Sequence, residues 1–292
     1  MQHKSLRFTL RTRQALAGYL FIAFWLAGFA LFLLAPLIRS FAWSLTDAEM
    51  QNVNENPAFI GLENYVEAFT IDIEFVPYLL ETFRNLAIDV PFILAFSLAV
   101  ALLAMQEVPG IGIFRAVFFL PVVIGSAAVV DRMFDMTGNQ LVLFRGEAAQ
   151  QFLQIYLGER LPAFMQFLNR SIFVLWRSGV QILIFIAGLK SIDPALYEAA
   201  EVDGASAWGR FWKVTLPMLS PVILVNIIYT IIDSFTDYFN RVLWYIRFLT
   251  FETDLRIGYP SALGNIYFIL IFVLVILAFL LVSRLTFYRG ER

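Results

Sequence analysis

The sequence predicts an all-α integral membrane protein: six transmembrane helices in a single domain over residues 1–292, with one helical loop on the cytoplasmic side. Three observations predict it. Hydrophobic residues make up 60% of the 292 and charged residues 15%, at a mean hydropathy of +0.74, whereas soluble domains hold roughly half apolar and about a quarter charged residues. The apolar residues are gathered into runs that can cross roughly 30 Å of hydrocarbon at about 1.5 Å per helical residue. These runs are spread over residues 15–288, so no soluble appendage is expected. A net charge of −2 supplies no basic stripe for phosphates, and no nucleic-acid partner is expected. Without cysteine there is no disulfide framework, thiol nucleophile or Cys-ligated metal.

The first span, 14–38, carries no charge and follows a basic arm. It is longer than the roughly 7–15-residue apolar core of a signal peptide, so it is expected to be retained. The second, 79–105, is interrupted by Glu81, Arg84 and Asp89 and contains Pro91. The third, 113–134, has Arg115 and Asp131 near its ends and Pro121 inside, and the fourth, 171–189, crosses Arg177. A charge at mid-bilayer costs about 2.5–3.5 kcal/mol on insertion scales. These three spans are therefore expected to pack inside a bundle or to line a wet cavity. The fifth, 214–236, is charge-free as far as Ile232, and the sixth, 257–283, is charge-free throughout. Residues 146–170, too polar to span, are expected to lie as amphipathic helices on the outer surface.

Loop charge sets the orientation. With both termini cytoplasmic, Lys4, Lys190 and Lys213 all fall inside, while the first outer loop, 44–77, has seven acidic residues and no Lys or Arg. That distribution follows the positive-inside rule.

Between the fourth and fifth spans the stretch 193–217 breaks the pattern. Asp193 before Pro194 is a helix start, and Gly204 after Asp203 is a helix stop. A helix over 194–203 results, offering Glu198, Glu201 and Asp203 as acceptors and flattened by Ala199 and Ala200. A second short helix over 207–215 sets Trp208, Phe211 and Trp212 on one stripe suited to the membrane interface, with Arg210 and Lys213 turned elsewhere. Pro217 then opens the next span. The pair reads either as a rigid knob presented to a cytoplasmic partner or as a plain helix–turn–helix connector.

Glu198-Ala199-Ala200, Gly204, Val214 and Leu216-Pro217 resemble, in identity and spacing, the EAA loop of permease subunits of binding-protein-dependent ABC importers, with valine where isoleucine is commoner. The setting IDPALYEAAEVDGASAWGRFWKVTLPMLSPVI is similar to the sugar branch, the maltose-type permeases. The likeness continues to SALGNIYF in the last span and is looser over 113–139. The resemblance implies that 194–203 is a coupling helix docking on a cytoplasmic ATPase through Glu198, Ala199, Ala200 and Asp203, with Gly204 making the turn. It further implies a second homologous permease, two ATPase subunits, an extracytoplasmic sugar-binding protein, and a place in the bacterial cytoplasmic (inner) membrane. ATP and Mg would be bound by the partner ATPase and no cofactor by this chain. The residues agree with that division: no G-x-x-x-x-G-K-[ST] occurs, since the stretch from Gly204 to Gly209 runs on into Arg210-Phe211.

Candidate substrate residues follow the fifth span. Asp233, Thr236, Asp237, Tyr238 and Asn240 could bind hydroxyls beside Phe235, Phe239, Trp244 and Tyr245, whose faces can cover a sugar ring. An interfacial aromatic belt with a polar loop is the other reading. Arg84 and Arg177 are either paired structurally, with residues such as Asp89 or Asp131, or placed to bind an anionic substrate. If both face a cavity, an acidic sugar such as a uronate oligosaccharide is expected, as in the alginate-type importers of this branch. His3, the one histidine, suggests no site. No H-E-x-x-H or G-x-S-x-G is present, which argues against an intramembrane enzyme. A self-sufficient secondary transporter or channel accommodates intramembrane charges, but leaves the capped loop helix unexplained.

Overall fold

A computed structural model describes residues 10–53, 55, 57–106, 112–113, 151, 154–161, 164–165, 174–175, 177–237, 240–253, 255–284 and 286. The expected span 113–134, apart from residue 113, and most of 146–170 lie outside these residues. The chain forms two compact units, one of residues 1–78 with 241–269 and the other of 79–240 with 270–292.

In the first unit, α1 (Leu10–Phe29) passes through a π-helical turn at Ala30–Leu34 into α2 (Ala35–Trp43). The run exceeds the expected 14–38 at both ends. Pro36 sits at the start of α2, directly after the wide turn, where a missing N–H disrupts least. After Trp43 the chain folds back through two isolated antiparallel bridges, Thr46 with Phe59 and Glu49 with Arg256. It then forms α3 (Glu63–Thr70). Buried Asn64 secures this arrangement by donating its amide to the carbonyls of Ser44 and Thr46, both at 2.9 Å. The unit also holds the first turn of α4 (Phe75–Ala104). The helix Arg241–Phe251 and the first part of Gly258–Ser283, named α9 and α10 below, complete it. At Gly258 an added Cβ would fall 2.2 Å from the Thr46 carbonyl oxygen, so the two backbones meet there only because the side chain is absent.

The second unit contains the rest of α4, α5 (Gly179–Lys190), α6 (Pro194–Val202), α7 (Ala207–Arg210), α8 (Leu216–Phe235) and the end of α10. Its core joins Val100 and Ala101 of α4, Ile182, Phe185 and Leu189 of α5, Ile192, and Leu219 of α8. Gly188 lets α5 and α8 close up, since a Cβ there would stand 2.7 Å from Val222. The short helix expected over 207–215 is not separate from the fifth span. A π turn at Phe211–Thr215 joins α7 to α8, and the helix runs unbroken over Ala207–Phe235. Pro217 falls within the opening turn of α8, where its lost N–H is absorbed by the wider turn before it.

Among the described residues four helices are long and apolar enough to cross a membrane: Gly18–Trp43, Phe75–Ala104, Ala207–Phe235 and Gly258–Ser283. Helices α5 and α6 reach that length only together, and they bend by 64° at their junction. The bend separates the C-terminal part of the fourth expected span from the loop helix.

Candidate functional site

The loop helix α6 is built as its sequence dictates. Asp193 is extended, and its carboxylate accepts the Ala195 N–H at 3.0 Å, with Pro194 in the first position. At the other end the N–H groups of Asp203, Gly204 and Ala205 donate to the carbonyls of Ala199, Glu201 and Ala200 at 2.9–3.0 Å. Gly204 has φ +77, the left-handed conformation a helix stop favours. Leu196 and Tyr197 pack on the core, and the Tyr197 hydroxyl is 3.0 Å from that of Thr215 on the following helix. The opposite side presents Glu198, Ala199, Val202, Asp203 and Gly204 to solvent, while Ala200 is half-buried. Glu201 is not a free acceptor, because Arg210 pairs with it across the turn. Arg210 is thus turned toward α6. The tryptophan stripe is present: Trp208 and Trp212 are exposed and meet edge to face with centroids 5.6 Å apart.

A second polar group lies between α5 and α8. Arg177, just before α5, places Nη2 3.0 Å from Asp233 Oδ2 and Nε 3.2 Å from Asp237 Oδ2. The structure thus pairs Arg177 with two residues that the sequence suggests as sugar-binding groups. Asp131, a suggested partner, lies outside the described residues. Buried Asn240 donates to the Ser234 carbonyl at 3.4 Å, and Tyr238 is outside the described residues. Arg84 stands apart: it is exposed on α4 and makes no ion pair or hydrogen bond among the described residues.

The polar stripe extends deeper than the sequence reading reached. Gln181 donates to the Thr230 hydroxyl at 3.4 Å, Asn226 to the Gln181 carbonyl at 3.1 Å, and Thr230 to the Asn226 carbonyl at 2.7 Å. All three residues are fully buried. The signal was present as spacing: Asn226, Thr230, Asp233 and Asp237 recur at helical intervals, and Gln181 follows Arg177 by one turn.

In the first unit, Asp72 joins three elements. Its Oδ1 accepts the N–H groups of Glu74 and Phe75 at 2.8 and 2.9 Å, capping α4. Its Oδ2 accepts the Tyr245 hydroxyl at 2.9 Å and the Tyr259 hydroxyl. Burial alone would raise the Asp72 pKa, but the hydrogen bonds from Tyr259, Phe75, Glu74 and Tyr245 together hold it below the usual carboxylate value. Burial and the bond to Asp72 push the Tyr245 phenol up. Alongside, Arg256 grips Glu67 through both guanidinium arms at 2.7 and 2.8 Å and lies over the Tyr259 ring. Tyr245, suggested by the sequence as a sugar-stacking ring, is buried in this cluster.

The loop helix and the Arg177 group both fall within residues 170–289, which match a family model described as "Binding-protein-dependent transport system inner membrane component". The chain is 34% identical over 229 residues to "Probable ABC transporter permease protein YesP" of Bacillus subtilis, covering 76% of this chain and 71% of that protein. It is 28% identical over 298 residues to "Lactose transport system permease protein LacF" of Rhizobium radiobacter, covering 94% and 96%. Among solved structures, a bacterial alginate ABC transporter in complex with alginate pentasaccharide-bound periplasmic protein superposes with a TM-score of 0.69 at 22% identity, over 94% of this chain and 96% of that chain. That likeness is one of fold.

Proposed function

Because this chain belongs to the family of inner-membrane components of binding-protein-dependent ABC importers, we propose that it carries oligosaccharides across the membrane by alternating access, driven through α6 by a separate ATPase. Its class is a multi-pass permease subunit that works with a solute-binding protein. The single observation that carries the coupling role is the seating of α6. Its ends are capped, its inner face packs on the core through Leu196 and Tyr197 just after buried Ile192, and its outer face leaves Glu198, Ala199, Asp203 and Gly204 exposed. A helix held that firmly transmits a push to α5 and α8 instead of flexing.

In this reading Glu198 and Asp203 receive polar groups of the ATPase, Ala199 and Ala200 allow close approach, and Gly204 sets the exit angle. The full assembly has a second homologous permease and two ATPase subunits, six spans in this chain, and both termini in the cytoplasm. This subunit performs no chemistry and binds no cofactor; ATP and Mg reside on the ATPase. Arg177, Asp233, Asp237, Tyr238 and Asn240 border the substrate path, with Arg84 a separate candidate. A sugar cargo is supported by the relatives named for lactose and alginate transport.

The test is purification of the chain in mild detergent from its own membrane, followed by reconstitution. An ATPase and a second permease should co-purify, and sugar uptake should require ATP. A chain that purifies alone and carries sugar without ATP would instead be a secondary transporter.

A further inference from the structure

We propose that this subunit's part of the substrate path selects uncharged, hydroxyl-rich oligosaccharides and rejects acidic ones, with Asp233 the specificity-determining residue and Arg177 a positioning residue. The inference rests on the substrate path assigned above. An arginine near the end of a span first suggests an anion receptor, yet the geometry points the other way. Arg177 is ion-paired with both carboxylates, its Nη2 hydrogen-bonded to Asp233 at 3.0 Å and its Nε 3.2 Å from Asp237, and its side chain is only 9% exposed. Asp233 is 34% exposed and Asp237 17%. A ligand approaching this group therefore meets a carboxylate before it meets the guanidinium.

Sugar hydroxyls are donors and make charge-assisted bonds to such an oxygen. A uronate carboxylate brings an acceptor and a like charge, and the repulsion is stronger in apolar surroundings than in water. The adjoining stripe adds acceptor capacity: Gln181 Oε1 and Asn226 Oδ1 are buried without a hydrogen-bond partner among the described residues, as is the Ser234 hydroxyl, which can donate as well as accept. The hydrogen bond from Arg177 Nη2 also orients the Asp233 carboxylate.

The test uses the complex purified with its own partners, reconstituted in proteoliposomes, and offered neutral trisaccharides or the acidic trigalacturonate and trimannuronate. Wild type should take up at least one neutral sugar at least tenfold faster than either uronate. D233N/D237N, which leaves the Arg177 charge unbalanced by these carboxylates, should narrow that ratio at least tenfold, whereas Arg177→Gln should not narrow it. If the double variant does not co-elute with its partners, Asp233→Asn alone should narrow the ratio about threefold. Preference for a uronate by wild type, lost on Arg177→Gln, would overturn the proposal, as would a ratio unchanged in every variant that assembles. ATP-independent uptake, or uptake of no sugar, would instead remove the transport reading beneath it.

Discussion

Glu198 and Asp72 show how single side chains act in each of the two units. Glu198 is exposed on α6 and makes no side-chain bond within the chain among the described residues. Its replacement is therefore expected to leave folding intact while altering coupling. Glu198→Lys should insert and co-purify normally but lose at least tenfold in ATP-driven uptake while ATP hydrolysis persists, measured side by side in proteoliposomes. Asp72 is the opposite case, since its carboxylate receives two backbone N–H groups and two phenols. Its pKa in the folded protein is depressed, so the stabilisation is fully present above the ordinary carboxylate value of about 4 and is lost as pH falls through the lower folded value. Asp72→Asn should lower the thermal midpoint by several degrees at pH 7, and the gap to wild type should close below about pH 4. An equal gap at both pH values would show that the cap alone, without its charge, accounts for the difference. Of these residues Glu198 was legible from its motif. Asp72 was not, because its phenolic partners lie 173 and 187 residues away in sequence.

Local signals were read correctly where they act locally. The Asp193-Pro194 start and Gly204 stop of α6 appear within one residue of the expected ends, because caps depend on neighbours only. Pro217 opens α8 as expected, but the short helix expected over 207–215 is not separate from it, because a π turn widens the helix just ahead of the proline and lets α7 continue into α8. Helices α3 and α9 escaped because both are short and interrupted by charge. What holds α3 is buried Asn64, bonded to carbonyls 18 and 20 residues away, and no periodicity in ENYVEAFT reports that. The contact of α5 with α8 yields a sharp expectation. With a Cβ at position 188 already 2.7 Å from Val222, Gly188→Leu overpacks the pair and should cost about 1–3 kcal/mol. A lower melting temperature of the purified complex would report it, whereas Gly188→Ala should lie between the two.

For the whole molecule, composition and six apolar runs were enough to establish a membrane helical class, since lipid leaves few ways to satisfy a backbone. The motif around Glu198 gave the family, which the 34% identity over 229 residues then established. The polar stripe was only half legible. Asp233 and Asp237 were evident as polar residues at a span end, but that they flank Arg177 depends on how α5 and α8 are packed. Docking of α6 on an ATPase carries the proposed function, and the chain has no cysteine, so a single introduced thiol is unique within it. The most direct measurement is Ala199→Cys in the assembled complex, treated with a short thiol-to-amine crosslinker and analysed by mass spectrometry. The expected product joins position 199 to the ATPase subunit, with a yield that changes when ATP is added. An assembly that imports its sugar normally while position 199 reacts only with water or lipid would contradict the assignment.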